Sequence, residues 1–480
     1  MTTATAGRKV VINPVTRVEG HGKVTLHLDD AGHIDEARFH IIEFRGFERF
    51  IQGRPYWEAP TVVQRLCGIC PVSHHLAASK AMDMVVGVDT PSPTAEKMRR
   101  LMHYGQTFQS HVLHFYHLAS PDLLFGFDAP VEDRNVIGVI RAHPDVAKKA
   151  VLMRKYGQEV IKATAGKKIH GTGSIPGGIN KNLSVEERDA LLKDIDEMIA
   201  WAVEGLELCK SVVVADQDRL LAFGSFDSNF VSIVSEDGGL DLYDGNLRAR
   251  DAEGNTIFDQ VPPTEYLNYI REEVRPWSYM KFPFITSLGK EKGWYRVGPL
   301  ARINNCDYID TPIAEAERAA FMKLGGGKPI QSTMAYHWAR MIETVHSAEK
   351  IKELLNDPDL QGEELIRSGE RRGEGMAWIE APRGTLIHHY EVNEKDLITR
   401  ANLIVSTTHN NEAMNQAVKR VAAQYLDGKE ITEALLNHIE VGIRAYDPCL
   451  SCATHALGQM QLQVQLVDAD NMVIAERFRG

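Results

Sequence analysis

The pattern of apolar and polar residues along the chain predicts mostly helices, with strands near the N-terminus. Apolar residues recur every three or four positions in residues 92–119, 185–213 and 333–355, which is the spacing of a helix that buries one face. The stretch KVTLHL alternates apolar and polar residues, DDAGH is typical of a turn, and HIDEARFHIIEF follows. We therefore predict a β-hairpin within the first fifty residues.

A second strand-rich segment, FVSIVSEDGGLDLYDGNLRARDAEGNTIF, contains Asp-Gly and Glu-Gly-Asn turns. No Pro-, Ser- or Gly-rich linker interrupts the chain, although its 480 residues would usually suggest two or three domains. We expect one body with an α+β fold that is mainly α. It would consist of a large helical bundle core with peripheral β-hairpins.

Composition limits the class of protein. With 44% hydrophobic and 25% charged residues, the chain resembles soluble globular proteins. No apolar run approaches the roughly 18 residues that a membrane span needs, and the start MTTATAGRKVVINP lacks the features of a secretory signal. The net charge of −11 without clustered Lys and Arg argues against nucleic-acid binding. We expect a cytoplasmic protein.

The chain has two Cys-x-x-Cys pairs near its opposite ends, in RLCGICPVSHHL (65–76) and DPCLSCATHALG (447–458). Cys70 precedes Pro71 and a helical stretch, so it should lie at a helix N-terminus, where a thiolate is favoured. Asp447 and Pro448 give the same start signal for the second pair. Cys209 and Cys306 stand alone and are expected to be packed, inert residues.

Four convergent thiolates have two interpretations on spacing alone. Two Cys-x-x-Cys motifs are the usual pattern of structural zinc. Zinc sites, however, usually close loops of roughly 15–20 residues, whereas this site would join the two ends of a large helical body. A redox metal therefore remains an equal alternative at this point.

Six separated motifs resemble, in order, the signatures of the large subunit of nickel–iron hydrogenases. They are RVEGHGK (17–23), EFRGFE (43–48), RLCGICPVSHH, HFYHLASPD (114–122), EAPRGTLIHHYE (380–391) and DPCLSCATH (447–455). Further stretches, among them EEVRPWSYMKFP (272–283) and VGPLARIN (297–304), resemble the cytoplasmic, bidirectional, NAD-reducing type. The resemblance implies the large-subunit fold and reversible cleavage of H2, with electrons passed through partner subunits to NAD+.

The resemblance also implies the roles of the four paired cysteines. Cys67 and Cys449 would be terminal nickel ligands, while Cys70 and Cys452 would bridge nickel to iron. Thiolate sulfur is a soft ligand suited to such metals. The iron would carry cyanide and carbon monoxide, which no side chain can supply.

Heterolytic cleavage of H2 requires a base beside the metals. By resemblance, Cys449 accepts the proton and Glu19 relays it. Arg383, fixed by the two carboxylates of Asp122 and Asp447, would form a polar canopy over the metals.

Three further expectations about the surroundings of the metals come from the same resemblance. Pro382 belongs to the canopy, and His74 would be oriented on a bridging sulfur. Glu48, His455 and a backbone carbonyl near Leu403 would bind magnesium.

Partners are implied by what the chain lacks. The glycine-rich stretches HGTGSIPGGIN (170–180) and KLGGGKP (323–329) are interpreted as turns and not as dinucleotide loops, and no cysteines are left for an iron–sulfur cluster. The resemblance therefore implies a small subunit with an iron–sulfur cluster, and diaphorase subunits that hold FMN, NAD and further clusters. A maturation endopeptidase and nickel-insertion proteins are also implied.

The family's endopeptidase would cut after His455, which divides the chain into a domain of residues 1–455 and a C-terminal propeptide of residues 456–480. MQLQVQL alternates and MVIAERF follows a turn, so the tail predicts a β-hairpin. We hypothesise that this hairpin pairs with the N-terminal hairpin and holds Cys449 and Cys452 away from the closed site. After cleavage, His455 would swing inward.

Two alternative functions stay open. One is a coenzyme F420-reducing or sulfur-linked hydrogenase with the same site. The other is a metal-free scaffold like the related subunit of respiratory complex I. That relative lacks the cysteine pairs, whereas all four cysteines are present here.

Overall fold

The computed structural model describes residues 9–31, 33–426, 432–455, 462–467 and 473–479. The strands are β1 Lys9–Ile12, β2 Gly22–Leu28, β3 Ile34–Ile41, β4 Ser174–Ile175, β5 Gly178–Ile179, β6 Asn229–Val234, β7 Asn246–Arg250, β8 Thr256–Val261, β9 Ile270–Glu273, β10 Phe282–Ile285, β11 Tyr295–Arg296, β12 Glu374–Ala381, β13 Gly384–Val392, β14 Ile398–Ile404, β15 Leu462–Val467 and β16 Val473–Arg479.

The α-helices are α1 Phe47–Phe50, α2 Ala59–Val62, α3 Pro71–Val85, α4 Pro93–Leu113, α5 Ser120–Phe125, α6 Val136–Ala142, α7 Pro144–Ala165, α8 Val185–Ala215, α9 Gln217–Ala222, α10 Tyr266–Tyr269, α11 Gly289–Lys292, α12 Pro299–Asn305, α13 Pro312–Lys323, α14 Ala335–Leu355, α15 Ser406–His409, α16 Asn411–Tyr425 and α17 Glu433–Arg444. A π-helical turn spans His114–Ala119. Short 3-10 turns span Tyr56–Glu58, Val63–Leu66, Pro263–Glu265, Thr286–Leu288, Pro358–Gln361 and Ser451–Ala453.

Long helices form the centre of the body. α4 packs against α7 and α14, and α14 packs against α8. Leu101 and Phe108 of α4 and Ile342 and Val345 of α14 are completely buried, and burial of each such side chain contributes roughly 1.5–3 kcal/mol. The three long helices predicted from apolar spacing are confirmed, with the first one continuing into the π-helical turn. No helix in the described part of the chain is long and apolar enough to cross a membrane.

The N-terminal hairpin is confirmed as part of a three-stranded antiparallel sheet. Its strand order is β1-β2-β3, and Val24 of β2 faces Phe39 of β3. Val24, Leu26, Phe39 and Ile41 are buried on one face, which is the alternation that the sequence displays. The second predicted strand region is also confirmed, because β6, β7 and β8 form an antiparallel run with β11 added in parallel to β6.

One sheet lies inside the body and was not anticipated as strands. β12, β13 and β14 form an antiparallel sheet that packs against α3. Residues 375–390 of this hairpin are all buried. Because both faces of the sheet are covered, buried residues follow one another along the strands. The alternation of apolar and polar residues that marks a half-exposed strand is therefore absent. This sheet was not among the predicted hairpins. The tight turn between β12 and β13 carries Pro382 and Arg383 into the interior.

The C-terminal hairpin is confirmed, but its predicted partner is wrong. β15 and β16 pair with each other as a separate two-stranded sheet. The outer edge of β3 is already satisfied, because the Phe39 N–H donates to Asn415 Oδ1 at 2.7 Å and the Ile41 carbonyl accepts the N–H of Tyr279 at 3.0 Å. An edge whose polar groups are already hydrogen-bonded cannot accept another strand.

Candidate active site

The two cysteine pairs meet in the interior. The Sγ atoms of Cys67 and Cys449 are 3.2 Å apart, and those of Cys70 and Cys452 are 3.8 Å apart. The four sulfur atoms all lie within 4.8 Å of one another. Each of the four residues is at most 6% exposed. The structure therefore assembles a buried cage of four sulfur donors from the two ends of the chain.

The first pair is oriented by the start of α3. Cys70 is the N-cap residue and Pro71 opens the helix, as predicted. The Cys67 sulfur accepts the backbone N–H groups of Ile69, at 3.2 Å, and of Cys70, at 3.4 Å. Exposed N–H groups at a helix start favour an anionic sulfur.

The second pair is not at the start of an α-helix, so that prediction is wrong. Asp447 has φ 52°, which turns the chain after α17. In the described segment up to His455, the helical element that follows is the 3-10 turn Ser451–Ala453. The Cys449 N–H instead donates to Thr407 Oγ1 at 2.9 Å. The second pair is therefore positioned by a hydroxyl group of α15 and not by the N-terminus of a helix, as the sequence had suggested.

The four thiols differ in acidity. Hydrogen bonds from the neighbouring thiols, with Cys449 contributing most, lower the pKa of Cys67 well below its ordinary value. Burial raises the pKa of Cys449 and of Cys452 well above the ordinary value. Four thiolates in this cage would leave uncompensated negative charge in a dry interior, which is strongly unfavourable. The cage therefore fits a bound cation with an affinity for sulfur.

Glu19 reaches the cage from the N-terminal segment. The Cys449 Sγ lies 3.1 Å from Glu19 Oε2, which also accepts the N–H of Ser451 at 3.1 Å. The backbones of Glu19 and Cys449 form an isolated parallel bridge, and the Leu450 N–H donates to the Glu19 carbonyl at 2.9 Å. The predicted carboxylate is thus in hydrogen-bond contact with the predicted cysteine.

Arg383 is buried beside the sulfur atoms. Its Nη2 lies 3.0 Å from Asp447 Oδ1, and its Nη1 lies 3.4 Å from Ser110 Oγ. Burial acts to lower the pKa of Arg383, but the charges of Asp447 and of the cysteine sulfurs outweigh it and raise the pKa well above its usual range. A permanently charged guanidinium therefore borders the cage, and its Nε atom has no partner within the described structure.

Asp122 does not bind Arg383, so the expectation of two carboxylates on this guanidinium is wrong. Asp122 lies on α5, and its oxygens accept from Arg17 at 2.6 Å and from Arg444 at 3.1 Å. Pro382 does line the cavity above the cage, together with Arg383. Its carbonyl accepts from Arg302 at 3.3 Å.

His74 lines the same cavity but hydrogen-bonds to another imidazole. Its Nδ1 is 3.2 Å from His388 Nε2, and His388 Nδ1 is 2.6 Å from the hydroxyl of Tyr390. Burial lowers the pKa of His74 to about 4, so the ring is neutral. The expected direct orientation on a bridging sulfur is not among its hydrogen bonds in the described structure.

A second polar cluster surrounds Glu48. The ammonium of Lys281 lies 3.0 Å from Glu48 Oε1, 3.4 Å from Glu272 Oε2 and 3.1 Å from Asn402 Oδ1. The Leu403 N–H donates to Glu48 Oε1 at 2.8 Å. Lys281 and Glu272 were not predicted as site residues, although both lie in EEVRPWSYMKFP, a stretch that stood out for its family resemblance alone.

His455 is already buried next to this cluster. Both of its ring nitrogens lack a hydrogen-bond partner within the described residues, as does Glu272 Oε1. Burial, followed by the charge of Lys281, lowers the pKa of His455 to about 3. The hypothesis that the tail holds Cys449 and Cys452 away from the closed site is therefore wrong, because both sulfurs already contact the first pair in a chain that still carries the tail. His455 is likewise already buried, so it need not swing inward after cleavage.

Two family profiles match this chain. A HoxL-like profile matches residues 9–44, and the profile of nickel-dependent hydrogenases matches residues 45–132 and 242–455. The chain belongs to the nickel-dependent hydrogenase family. It is therefore an enzyme subunit of the hydrogenase class, and the four-sulfur cage lies within the matched residues. The unmatched residues between the two matched parts contain helices α6 to α9.

Individual hydrogenases are similar over nearly the whole chain. The NAD-reducing hydrogenase HoxS subunit beta of Cupriavidus necator is 49% identical, and the match covers 98% of this chain and 100% of that protein. One chain of the F420-non-reducing hydrogenase of Methanothermobacter thermautotrophicus is 44% identical, with 95% and 96% covered.

Solved structures agree with the fold. The crystal structure of an NAD+-reducing NiFe-hydrogenase in the H2-reduced state has a TM-score of 0.92 and 57% identity, and covers 94% of this chain and 100% of that chain. The NiFeSe hydrogenase of Dm. baculatum has a TM-score of 0.74 at 23% identity, with 94% and 100% covered, and shares the fold. The predicted large-subunit fold and enzyme class are confirmed.

Proposed function

We propose that this chain is the catalytic subunit of an NAD-reducing hydrogenase, which cleaves H2 reversibly and passes the electrons through partner subunits to NAD+. The four-sulfur cage of Cys67, Cys70, Cys449 and Cys452 is the observation that carries the proposal. The similarity to the HoxS subunit beta and to the NAD+-reducing enzyme favours NAD+ as the acceptor.

The donor set supports a nickel–iron pair. Cys67, Cys70, Cys449 and Cys452 would hold nickel, and Cys70 and Cys452 would also hold iron, whose other ligands would include cyanide and carbon monoxide. A sulfur-rich shell stabilises these metals, which supply the two-electron chemistry of H2 cleavage when bound. The cavity lined by Pro382 and Arg383 adjoins the sulfurs on one side. Arg383, held by Asp447, lines this cavity and would offer fixed donors to a bound group at little reorganisation cost.

The chain's own residues move the proton. The Cys449 sulfur receives it, and Glu19 takes it over across the 3.1 Å contact between Sγ and Oε2. The Ser451 N–H holds the same Glu19 oxygen. Proton transfer needs donor and acceptor within hydrogen-bond reach, and this pair satisfies that geometry.

A magnesium ion is proposed at the Glu48 cluster. Glu48, His455 and the backbone carbonyl of Leu403 are the ligands expected in this family. The carboxylate of Glu48 and the Oε1 of Glu272, unpartnered among the described residues, offer hard oxygen donors of the kind that such an ion takes, and water would complete its shell. The two ring nitrogens of His455, which also lack partners in the described structure, add a donor that this ion takes less readily. The Lys281 ammonium supplies the compensating positive charge in the structure as it stands.

Partners follow from the chemistry. Electrons must leave through a small subunit with an iron–sulfur cluster, and then through diaphorase subunits with FMN and NAD, because the described part of this chain offers neither a second cysteine cluster nor a dinucleotide loop. Phe44, Phe50 and Trp57 are 45%, 53% and 52% exposed beside the Glu48 cluster and offer apolar surface to such a partner. We expect maturation proteins to insert the metals and the complex to lie in the cytoplasm.

Processing after His455 is part of the proposal. The family profile ends at residue 455, so residues 1–455 form the mature domain and the residues from Ala456 onward are removed. Since the cage is already closed before cleavage, nickel entry requires a local opening of the segment that carries Cys449 and Cys452.

The second candidate is a hydrogenase of the same chemistry with another acceptor. A chain of an F420-non-reducing hydrogenase is 44% identical, which speaks for an acceptor other than NAD+ but not for F420. A chain of the sulfhydrogenase 2 of Pyrococcus furiosus is 28% identical, which keeps a sulfur-linked acceptor open. NAD+, coenzyme F420 and polysulfide offered in turn to the purified complex distinguish these candidates. Reduction of F420 or polysulfide without reduction of NAD+ would refute the proposed acceptor.

The metal site is tested by elemental analysis with infrared spectra in the cyanide and carbonyl region. We expect one nickel and one iron per chain, and Cys70→Ala should abolish both activity and stable iron binding.

Glu19→Gln should keep the metals but lower hydrogen–deuterium exchange by about 10²- to 10⁴-fold. The control is Glu43→Gln, an exposed carboxylate paired with His21. Zinc as the sole metal, or exchange at the wild-type rate in Glu19→Gln, would overturn the respective assignment.

A further inference from the structure

The segment that carries Glu19 is held at its start by ionic side chains remote from the metal cage. The Thr16 N–H donates to Glu440 Oε1 at 2.6 Å, and its hydroxyl donates to Glu440 Oε2 at 3.1 Å. Arg444 then donates through Nε to the Thr16 carbonyl at 3.0 Å and through Nη2 to its hydroxyl at 2.8 Å. Helix α17 thus fixes both the backbone and the side chain of a residue three positions before Glu19.

The next residue is fixed from a different element. Arg17 Nη2 donates to Asp122 Oδ1 at 2.6 Å, and Nη1 donates to the carbonyl of Leu118 in the π-helical turn at 2.8 Å. A π-helical turn leaves backbone carbonyls free of their usual partners and frequently marks a functional site. The fork of Arg17 therefore bridges the π-helical turn and α5, which anchors the chain two residues before Glu19.

Asp122 joins the two arginines. Its Oδ1 accepts from Arg17 and from Asn437, at 3.2 Å, while its Oδ2 accepts from Arg444. Arg444 also lies 2.7 Å from Glu440. Two guanidinium groups and two carboxylates are thus joined by hydrogen bonds, and the side chains of Asp122 and Arg444 are only 3% and 2% exposed. A buried ionic set of this kind is rigid when complete, and removal of one member is costly.

The other end of the segment is fixed by the cage itself. Only Val18 separates Arg17 from Glu19, whose backbone forms the isolated bridge to Cys449. Arg17 adopts φ 54°, a left-handed conformation that turns the chain at this point. The Glu19 carboxylate has the Cys449 sulfur and the Ser451 N–H as its contacts. The position of the Glu19 carboxylate therefore depends on how Arg17, two residues earlier, is held.

We propose that Arg17, Asp122, Glu440 and Arg444, which we name the Asp122 clamp, position Glu19 against the Cys449 sulfur for proton transfer. Arg17 and Asp122 are positioning residues, because neither touches the sulfur cage in the described structure. The inference rests on the proposed role of Glu19 as the proton acceptor. It also gives Asp122 a function that differs from the expected contact with Arg383. A displacement of about 1 Å at a reacting group can cost about a hundredfold in rate.

The test is a double-mutant cycle on the purified complex with Arg17→Gln, Glu19→Gln and the double variant. The readout is isotope exchange between D2 and water, beside nickel and iron content and the infrared bands of the cyanide and carbonyl ligands. Arg17→Gln should slow exchange about ten- to a hundredfold with unchanged metal content and infrared bands. In the Glu19→Gln background, the same substitution should cause no further loss, because the clamp acts only through Glu19.

Arg134→Gln is the matched control. The Arg134 Nε also lies 3.7 Å from Asp122, but its hydrogen bonds go to the carbonyls of Phe127 and Ala129 and to Glu433, and none reaches the Glu19 segment. The exchange rate of Arg134→Gln should stay within about twofold of the wild type, because no hydrogen bond to Thr16, Arg17 or Glu19 is lost. Should Arg17→Gln fail to assemble, Asp122→Asn, which keeps the shape of the side chain, replaces it in the cycle.

Three outcomes would contradict the proposal in different ways. Wild-type exchange in Arg17→Gln together with slow exchange in Glu19→Gln would overturn the clamp alone. An equal loss from Arg17→Gln in both backgrounds would show a general structural effect and not positioning of Glu19. Wild-type exchange in Glu19→Gln would overturn the proposed role of Glu19, and with it the purpose of the clamp.

Discussion

Gly20 should be the residue that allows Glu19 to approach Cys449. It adopts φ +84°, and a Cβ atom placed there would lie 2.8 Å from the Cβ of Leu450 and 2.8 Å from the backbone nitrogen of Ser451. Leu450 is the residue whose N–H binds the Glu19 carbonyl at 2.9 Å. Gly20→Ala would therefore push apart the two segments that bring the carboxylate to the sulfur.

The cost of Gly20→Ala has two parts. A left-handed conformation costs a non-glycine residue roughly 1–2 kcal/mol, and overpacking against backbone and a buried side chain costs about 1–3 kcal/mol more. Gly53 offers a matched control, because it adopts φ +81° but a Cβ atom added to it would have no other atom within 4 Å. Gly53→Ala should incur the first part only, so the difference of about 1–3 kcal/mol measures the close approach.

Chemical unfolding of the two variants measures these free energies, and D2–water exchange measures the effect on Glu19. We expect at least about tenfold slower exchange in Gly20→Ala, since a small displacement of the carboxylate breaks the proton-transfer geometry. Exchange in Gly53→Ala should match the wild type. Equal destabilisation of both variants, or wild-type exchange in Gly20→Ala, would refute the argument that Gly20 is needed for the contact.

Further predictions concern other parts of the molecule. Arg383→Lys loses the planar fork, so H2 oxidation should fall about 10²- to 10³-fold with metal content kept, and a near-normal rate would reject the proposed canopy. Burial lowers the pKa of His103 to about 4. As the pH falls from 6.5 to 4, His103 becomes protonated in the unfolded chain but stays neutral in the folded one. The free energy of unfolding therefore decreases over this range, by about 3 kcal/mol for this group. His103→Gln should flatten the slope in acid unfolding series, and an unchanged slope would contradict a neutral buried ring. Mass spectrometry of active enzyme should find the chain ending at His455, and full activity with the tail retained would contradict processing.

Much of the local structure and of the metal cage could be predicted from the sequence alone. Some signals depend on only a few neighbouring residues and can therefore be read without knowing the fold. They are the helical spacing, the start of a helix at Pro71 and the alternation in the N-terminal strands. The resemblance of six motifs to one family implies that Cys67, Cys449 and Glu19 belong to one site, although they are far apart in the sequence. Nothing in local spacing, however, measures the 3.2 Å contact of two cysteines that stand 382 positions apart.

The tertiary structure decided which charges meet. The sequence contains Asp122, Arg383 and Arg444 but does not show which of them pair, because an arginine can reach any carboxylate that the fold brings near it. In the folded chain, Asp122 accepts hydrogen bonds from Arg17 and Arg444. In the same way, Lys281 meets Glu48 only through the fold. The sheet β12-β13-β14 stayed hidden because both of its faces are covered, and a pattern of alternating exposure exists only where one face of a strand meets water.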